Sequence, residues 1–248
     1  CEALALLEGA AAMAVEAGNE PGGGLVGALD RAQGAMRALR MRDGALPRFH
    51  GGGPGRKGRL DHALGLARRS RTDAGRAGAM GFVKLTAGRM AVVVDAAAPP
   101  ATETAHASTL AFELAAGSRR LVVNSGPGGG CGGDWAAACR ATAAQSTLSL
   151  AGVSSSRVGP GDGRFRSGPK AVAAETTQDV DGAWFLGEHD GYLESHGLVH
   201  RRRLFLSPDG KDFRGEDALI APAGAASDGM GFAVRFHLHP DAAEGVQG

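Results

Sequence analysis

Apolar residues recur every three to four positions in the first part of the chain and every second position after residue 79. Leu4, Leu7, Ala11 and Val15 fall on one face of a helix predicted over Leu4–Ala17, which Gly18 ends. Leu25, Leu29, Ala32, Met36 and Leu39 stripe a second helix over Leu25–Arg40, and Asn19–Gly24 reads as the loop between them. A third candidate, Arg59–Arg69, follows the glycine-rich stretch Gly51–Gly55. Short connections make these the antiparallel end of a helical bundle or toroid. Beyond residue 79, Met80–Leu85 and Met90–Asp95 flank Thr86–Arg89, a hairpin signal. Ala105–Leu114 and Leu121–Gly126 read as a second hairpin, and Thr147–Leu150 as a third strand after the lead-in Arg140–Ser146. Further strands are expected over Ala183–His189, Leu198–Leu206, Asp212–Ile220 and Met230–Leu238, with Ser207–Gly210 as a Pro-Asp-Gly turn. Gly159–Lys170 is a loop by composition. The pattern predicts an α+β chain: a short helical segment over 1–74, then a mainly antiparallel β-sandwich over 75–248.

Composition narrows this picture. An apolar content of 43% supports a real core, but aromatics are only 5%, so Ala, Val and Leu must build it. The net charge of +1 gives no global basic field, and no nucleic-acid partner is expected. The basic runs Arg68-Arg69, Arg119-Arg120 and Arg201-Arg202-Arg203 read as solvated surface, with a groove for an anionic polymer as the sharper alternative. Cys1, Cys131 and Cys139 are an odd set, not a disulfide framework; a Cys131–Cys139 bridge and free thiols both stay open. No apolar run is long enough to cross a bilayer, so no membrane insertion is expected. The chain starts without Met inside a helical pattern and is read as a fragment, which leaves targeting signals undetermined.

If the middle strands form a meander, His106, Asn124 and Gln145 gather at one end of a sheet. Alternation then puts His106 on a face with Ser108, Leu110, Phe112 and Leu114. A histidine there is either a proton carrier or metal ligand, or a core-edge side chain held by a carbonyl. Gly128, Gly130 and Gly133 satisfy G-x-G-x-x-G ahead of a helix predicted over Trp135–Ala144, which suggests a dinucleotide site as a further reading. The next strand ends in Ala151-Gly152 with no acid for a ribose, and Asp134 more simply caps the helix. His237 and His239 share a strand face, His196 and His200 are four apart, and Tyr192 is the one tyrosine; none has a third ligand or partner in sequence.

At His106–Leu114, Gly117–Gly126, Arg140–Leu150, Asp190-Gly191-Tyr192 through His200-Arg201-Arg202, and Phe236–Pro240, the chain resembles the C-terminal β-sandwich region of the heparinase II/III-like polysaccharide lyases. The match covers roughly residues 75–240, and the helical start is similar to the last turns of that family's (α/α) toroid. The resemblance implies β-elimination on uronic-acid-containing polysaccharides. In that reaction the C5 carboxylate is neutralised, a base takes the C5 proton and an acid protonates the departing O4. Toroid residues Asn, His and Tyr do much of this and would lie upstream. The sandwich contributes a histidine, to which His106 corresponds, facing the cleft as proton carrier or substrate contact. Asn124, Arg140, Gln145 and His200 are the implied substrate contacts, with Arg140 on a uronate carboxylate or sulfate. Some members hold a structural zinc through His, Asp and His; the corresponding positions here are His106, Asn124 and Gln145, and a family His-Ala-Asp reads His106-Ala107-Ser108. Neutral amides are poor zinc ligands, so no cofactor is expected, and a hydrogen-bonded cluster takes that place. The implied partner is an anionic polysaccharide, the implied location the periplasm or cell envelope, and no oligomeric state follows. The alternative is a non-catalytic carbohydrate-binding or scaffold module.

Overall fold

Helix gives way to sheet where the apolar period changes. The computed structural model describes residues 2–53, 58–66, 79–132, 134–158, 163–222 and 229–245. Helices α1 (Glu2–Glu16), α2 (Gly23–Leu39) and α3 (Arg59–Leu66) come first, with α1 packed on both others. The last residues predicted for the third helix, and the 74/75 boundary, lie outside the described residues.

Two antiparallel sheets follow, packed face to face. One has the order β1 (Phe82–Ala87), β2 (Met90–Asp95), β3 (Phe112–Ala116), β4 (Arg119–Val123) and β13 (His237–Leu238). The other runs β11 (Phe213–Ile220), β10 (Leu198–Leu206), β9 (Ala183–Tyr192) and β8 (Val172–Gln178). Val92, Val94, Phe112, Phe185, Leu204 and Leu206 fill the space between them. Gly187 of β9 sits where the sheets close: a Cβ there would lie 2.5 Å from Leu110 Cδ2. The smaller pairs are β5 (Leu148–Leu150) with β12 (Phe232–Val234), and β6 (Arg157–Val158) with β7 (Phe165–Ser167).

The outer face of the first sheet is covered too. Ala91, Val93, Ala111 and Ala115 are buried under Leu39, Met41 and Phe49, which explains why Ala91–Val94 is apolar without interruption. A strap over residues 40–53 carries this cover and is tied down by polar contacts. Lys84 Nζ donates to Ala38 O and Arg40 O at the end of α2. Arg120 grips Asp43 through Nε (2.7 Å) and Nη2 (3.0 Å) and donates to Glu113 Oε2 at 2.7 Å. The opposite Glu113 oxygen accepts Arg48 N–H. Burial pushes the Glu113 carboxyl up, and Arg120 beside it opposes the shift.

Three expectations need correction. First, the segment 105–111 is not strand; β3 begins at Phe112. Its alternation of apolar and polar residues imitates a strand, but its backbone bonds are turns and crossings: Leu110 N–H to Asp95 O, Ala111 N–H to Ser108 O, Ala107 N–H to Arg140 O. Leu110 is in the left-handed region, φ 64°. Second, there is no meander through β5, because β5 pairs with β12. Third, the helix predicted over Trp135–Ala144 is one turn, α4 (Trp135–Ala138), with a separate 3₁₀ turn at Thr142–Ala144; Asp134 makes no side-chain cap. Gly133 of the glycine pattern lies outside the described residues. The named sheets pair antiparallel throughout, so that pattern has no βαβ setting among the described residues.

Candidate functional site

His106 lies on the irregular segment ahead of β3, Asn124 one residue past β4, and Gln145 three residues before β5. The packing brings them into one buried neighbourhood by a route other than a meander. Asn124 Oδ1 accepts Ser146 N–H at 2.8 Å, which fixes the end of β4 against the lead into β5. Gln145 Nε2 donates to Cys139 O at 2.7 Å, and the Gln145 side chain is near enough to His106 to favour its protonated ring. All three side chains are buried; His106 is 1% exposed and does not face an open cleft.

The strap decides the state of His106. Gly51 N–H donates to its Nε2 at 3.1 Å, and its own N–H donates to His50 Nδ1 at 3.1 Å. His50 Nε2 is then the protonated nitrogen and reaches Asp95 Oδ2 at 3.1 Å, where Ser108 Oγ also donates. Burial first, then the neighbouring His50 and Arg140, lower the His106 pKa to about 4; Asp95 and Gln145 pull the other way. The ring is therefore neutral near pH 7, with its lone pair already used by Gly51. Sequence reasoning missed His50 and Gly51, because a loop gives no periodic signal for a contact 55 residues away.

A zinc ion, implied by the family resemblance, does not fit these residues. Among the described residues no three His, Cys, Asp or Glu side chains assemble as a metal-binding group. The Asn124 oxygen is taken by Ser146, so its amide turns N–H₂ inward. His106, acceptor at Nε2, carries its proton on Nδ1. Of the three side chains, only Gln145 leaves its acceptor without a hydrogen bond, and an amide oxygen is a poor zinc ligand.

His200 belongs to a different cluster. Gly191 N–H donates to His189 Nδ1, His189 Nε2 meets His200 Nδ1 at 3.1 Å, and His200 Nε2 meets Asp217 Oδ1 at 2.7 Å. Asp217 takes Arg202 Nε and Nη2, both at 2.8 Å, and Arg202 Nη1 donates to Leu110 O and Ser146 O. One arrangement of protons satisfies the whole chain: both histidines neutral, each protonated on Nε2. Burial lowers the pKa of both. Burial would raise the Asp217 carboxyl, but the bonds from His200 and Arg202 outweigh it and hold its pKa at about 2. Arg202, read in sequence as part of a solvated basic run, is fully buried, and Arg120 of the second run is buried as well.

Arg140 is a clamp: Nε donates to Ala105 O at 2.7 Å, Nη2 to Gly163 O at 2.6 Å, and the guanidinium lies 5.1 Å over the Phe165 ring. Tyr192 is packed, its hydroxyl donating to Leu148 O, and burial raises its pKa to about 12. His196 sits on the short helix α5 (Leu193–His196) against Ser195, well apart in role from His200. His237 and His239 bond to Ala143 O and to Asp241 respectively. Cys131 and Cys139 are free thiols. A polar groove of about 410 Å³ runs between Ser154, Arg157, Ser167, Lys170, Asp190 and Glu194. No helix among the described residues is long and apolar enough to cross a membrane.

Comparison with known proteins follows the fold. The family model described as "Heparinase II/III-like, C-terminal" matches residues 69–247. The chain is 35% identical over 230 residues to FtsZ-localized protein C of Caulobacter vibrioides (strain NA1000 / CB15N), covering 87% of this chain and 39% of that protein. Among solved structures it is similar to heparan sulfate lyase HepC from Pedobacter heparinus, with TM-score 0.66 and 16% identity over 90% of this chain and 37% of that one. A heparinase III structure gives TM-score 0.51 and 15% identity over 82% of this chain and 36% of that one. These two structural likenesses speak to fold alone. The chain spans about two-fifths of the length of the curated relative it matches.

Proposed function

Given that the chain belongs to the heparinase II/III-like family through its C-terminal domain, we propose that it works as a heparinase-fold binding and scaffold domain, not as the working half of a lyase. The observation that carries this reading is His106: a general acid or base needs a reachable nitrogen and a pKa near the working pH, and this ring has neither. The ligand is an anionic, uronic-acid-containing polysaccharide at the envelope. The groove between Arg157, Lys170, Asp190 and Glu194 supports this, since hydroxyl and charged groups around a concave surface suit a sugar. Arg140, Asn124, Gln145 and His200 hold the sandwich together from within, through bonds to Ala105 O, Ser146 N–H, Cys139 O and Asp217. The 35% identity to a protein named for its localization with FtsZ supports a scaffold role beside that protein. The test has two arms. Full-length protein mixed with heparin, heparan sulfate or alginate should give no rise in the ultraviolet absorbance of unsaturated uronate, while retaining glycan in a pull-down. A tagged copy should follow FtsZ in the cell.

The family match favours a second reading, β-elimination on the same glycans. In it the toroid supplies the groups that neutralise the C5 carboxylate and protonate O4, and His106 must first leave Gly51. An absorbance rise that His106→Ala abolishes would establish it in place of the scaffold.

A further inference from the structure

Three of the buried polar atoms without a partner among the described residues belong to side chains on adjoining segments: His106 Nδ1, Asn124 Nδ2 and Gln145 Oε1, with Asn124 bonded to the residue after Gln145 and Gln145 beside His106. Each side chain spends its other end on the main chain, His106 Nε2 on Gly51 N–H, Asn124 Oδ1 on Ser146 N–H, and Gln145 Nε2 on Cys139 O. Those bonds fix which end points inward. The inward set is two N–H donors and one carbonyl acceptor. A buried amide or ring nitrogen left without a hydrogen bond is costly, so three together demand a guest.

We infer that His106, Asn124 and Gln145 form a pocket built for one buried water molecule and closed to divalent cations. A water oxygen accepts from His106 Nδ1–H and Asn124 Nδ2–H, and one of its hydrogens goes to Gln145 Oε1. Three bonds is the usual complement of a buried water. A cation meets two positive N–H dipoles and a single acceptor oxygen, and turning the Asn124 amide to offer a second oxygen breaks its bond with Ser146 N–H. The pocket is a sealed structural joint between the end of β4, the lead into β5 and the strap. This holds whichever glycan or protein the surface meets.

The test reads metal, proton and water separately. Wild type, Asn124→Ala and the double variant Asn124→Asp/Gln145→His are equilibrated with zinc sulfate, dialysed and analysed for zinc. Wild type should retain no more zinc than Asn124→Ala. The double variant, which supplies a carboxylate and a second imidazole, should gain about one equivalent, with affinity raised at least about a hundredfold. One extra equivalent in wild type relative to Asn124→Ala overturns the inference. So does a folded double variant that binds none, since the amides would then not be what excludes metal. Nitrogen-15 spectra of wild type should place the His106 proton on Nδ1; a proton on Nε2 overturns it. A crystal structure should show one water within hydrogen-bond distance of all three atoms; a direct His106–Gln145 bond with no water beside Asn124 overturns it.

Discussion

The sandwich holds two buried histidine clusters that differ in how they end. In the His189–His200–Asp217–Arg202 chain every donor meets an acceptor, and both ends land on main chain, at Gly191 N–H and at the carbonyls of Leu110 and Ser146. In the His106–Asn124–Gln145 cluster each residue binds main chain on one side and turns an unpartnered atom inward on the other. Both are built around histidines that are buried. A closed chain fixes the distance between sheets and has nothing left to offer a guest. An open one has both a guest and a state that its surroundings set. A buried histidine is therefore read by what remains unspent on its ring, not by its presence.

Breaking the closed chain should have the largest effect. Arg202→Met leaves the largely buried Asp217 without its charged partner, held by His200 alone, and frees two carbonyls, and should cost about 3–5 kcal/mol in urea unfolding. Adding Asp217→Leu should recover a large part of that loss; no recovery would mean the Leu110 and Ser146 carbonyls, not the ion pair, carry it. Acid separates the clusters next. The folded His106 pKa, about 4, lies below the unfolded value of about 6.5, so the unfolded chain takes the proton first. Its contribution is full above about pH 6.5 and is lost as pH falls toward about 4, a span worth about 3 kcal/mol as an order of magnitude. His189 and His200, also depressed, act in the same direction. His106→Gln should flatten the His106 part of the stability–pH curve and leave theirs; an unchanged curve would assign the whole slope to the closed chain.

Smaller effects sharpen the contrast. Gly51 has φ 81°, and a Cβ there would sit 2.7 Å from Thr104 Cβ, so Gly51→Ala should cost about 1–2 kcal/mol. The same change should loosen the bond to His106 Nε2 and move the ring's titration, followed by NMR, back toward about 6.5. The smallest effect belongs to Arg203, whose exposed pair with Glu216 is 3.5 Å long. Arg203→Ala should change stability by less than about 1 kcal/mol, one position away from the most sensitive arginine on the strand.

Much of the fold was legible because helices and hairpins advertise themselves. The stripe Leu25–Leu29–Ala32–Met36–Leu39 became α2, and Met90–Asp95 became β2 with its bounds intact. The segment 105–111 misled because Ser108, Leu110 and Phe112 alternate like a strand, while Leu110's positive φ is written in no residue that favours it. The nearness of His106, Asn124 and Gln145 was read through a meander that does not exist; side-chain bonds to Ser146 and Cys139 assemble it instead. Arg202 is written in the sequence as well: Leu198, His200, Arg202, Leu204 and Leu206 alternate on one face, a period that the run of three charges masks. The strap's grip was not legible at all, since it depends on contacts from Arg48, His50 and Gly51 to residues far along the chain.

That strap has a mechanical meaning. It leaves the C-terminal end of α2, crosses the outside of the first sheet and finishes with its Gly51 amide on the His106 ring. Between those points it is pinned at Asp43, Arg48 and His50, so it has little slack. The position of the Gly51 amide, and with it the bond on the His106 ring, is therefore set jointly by the end of α2 and the outer face of the first sheet.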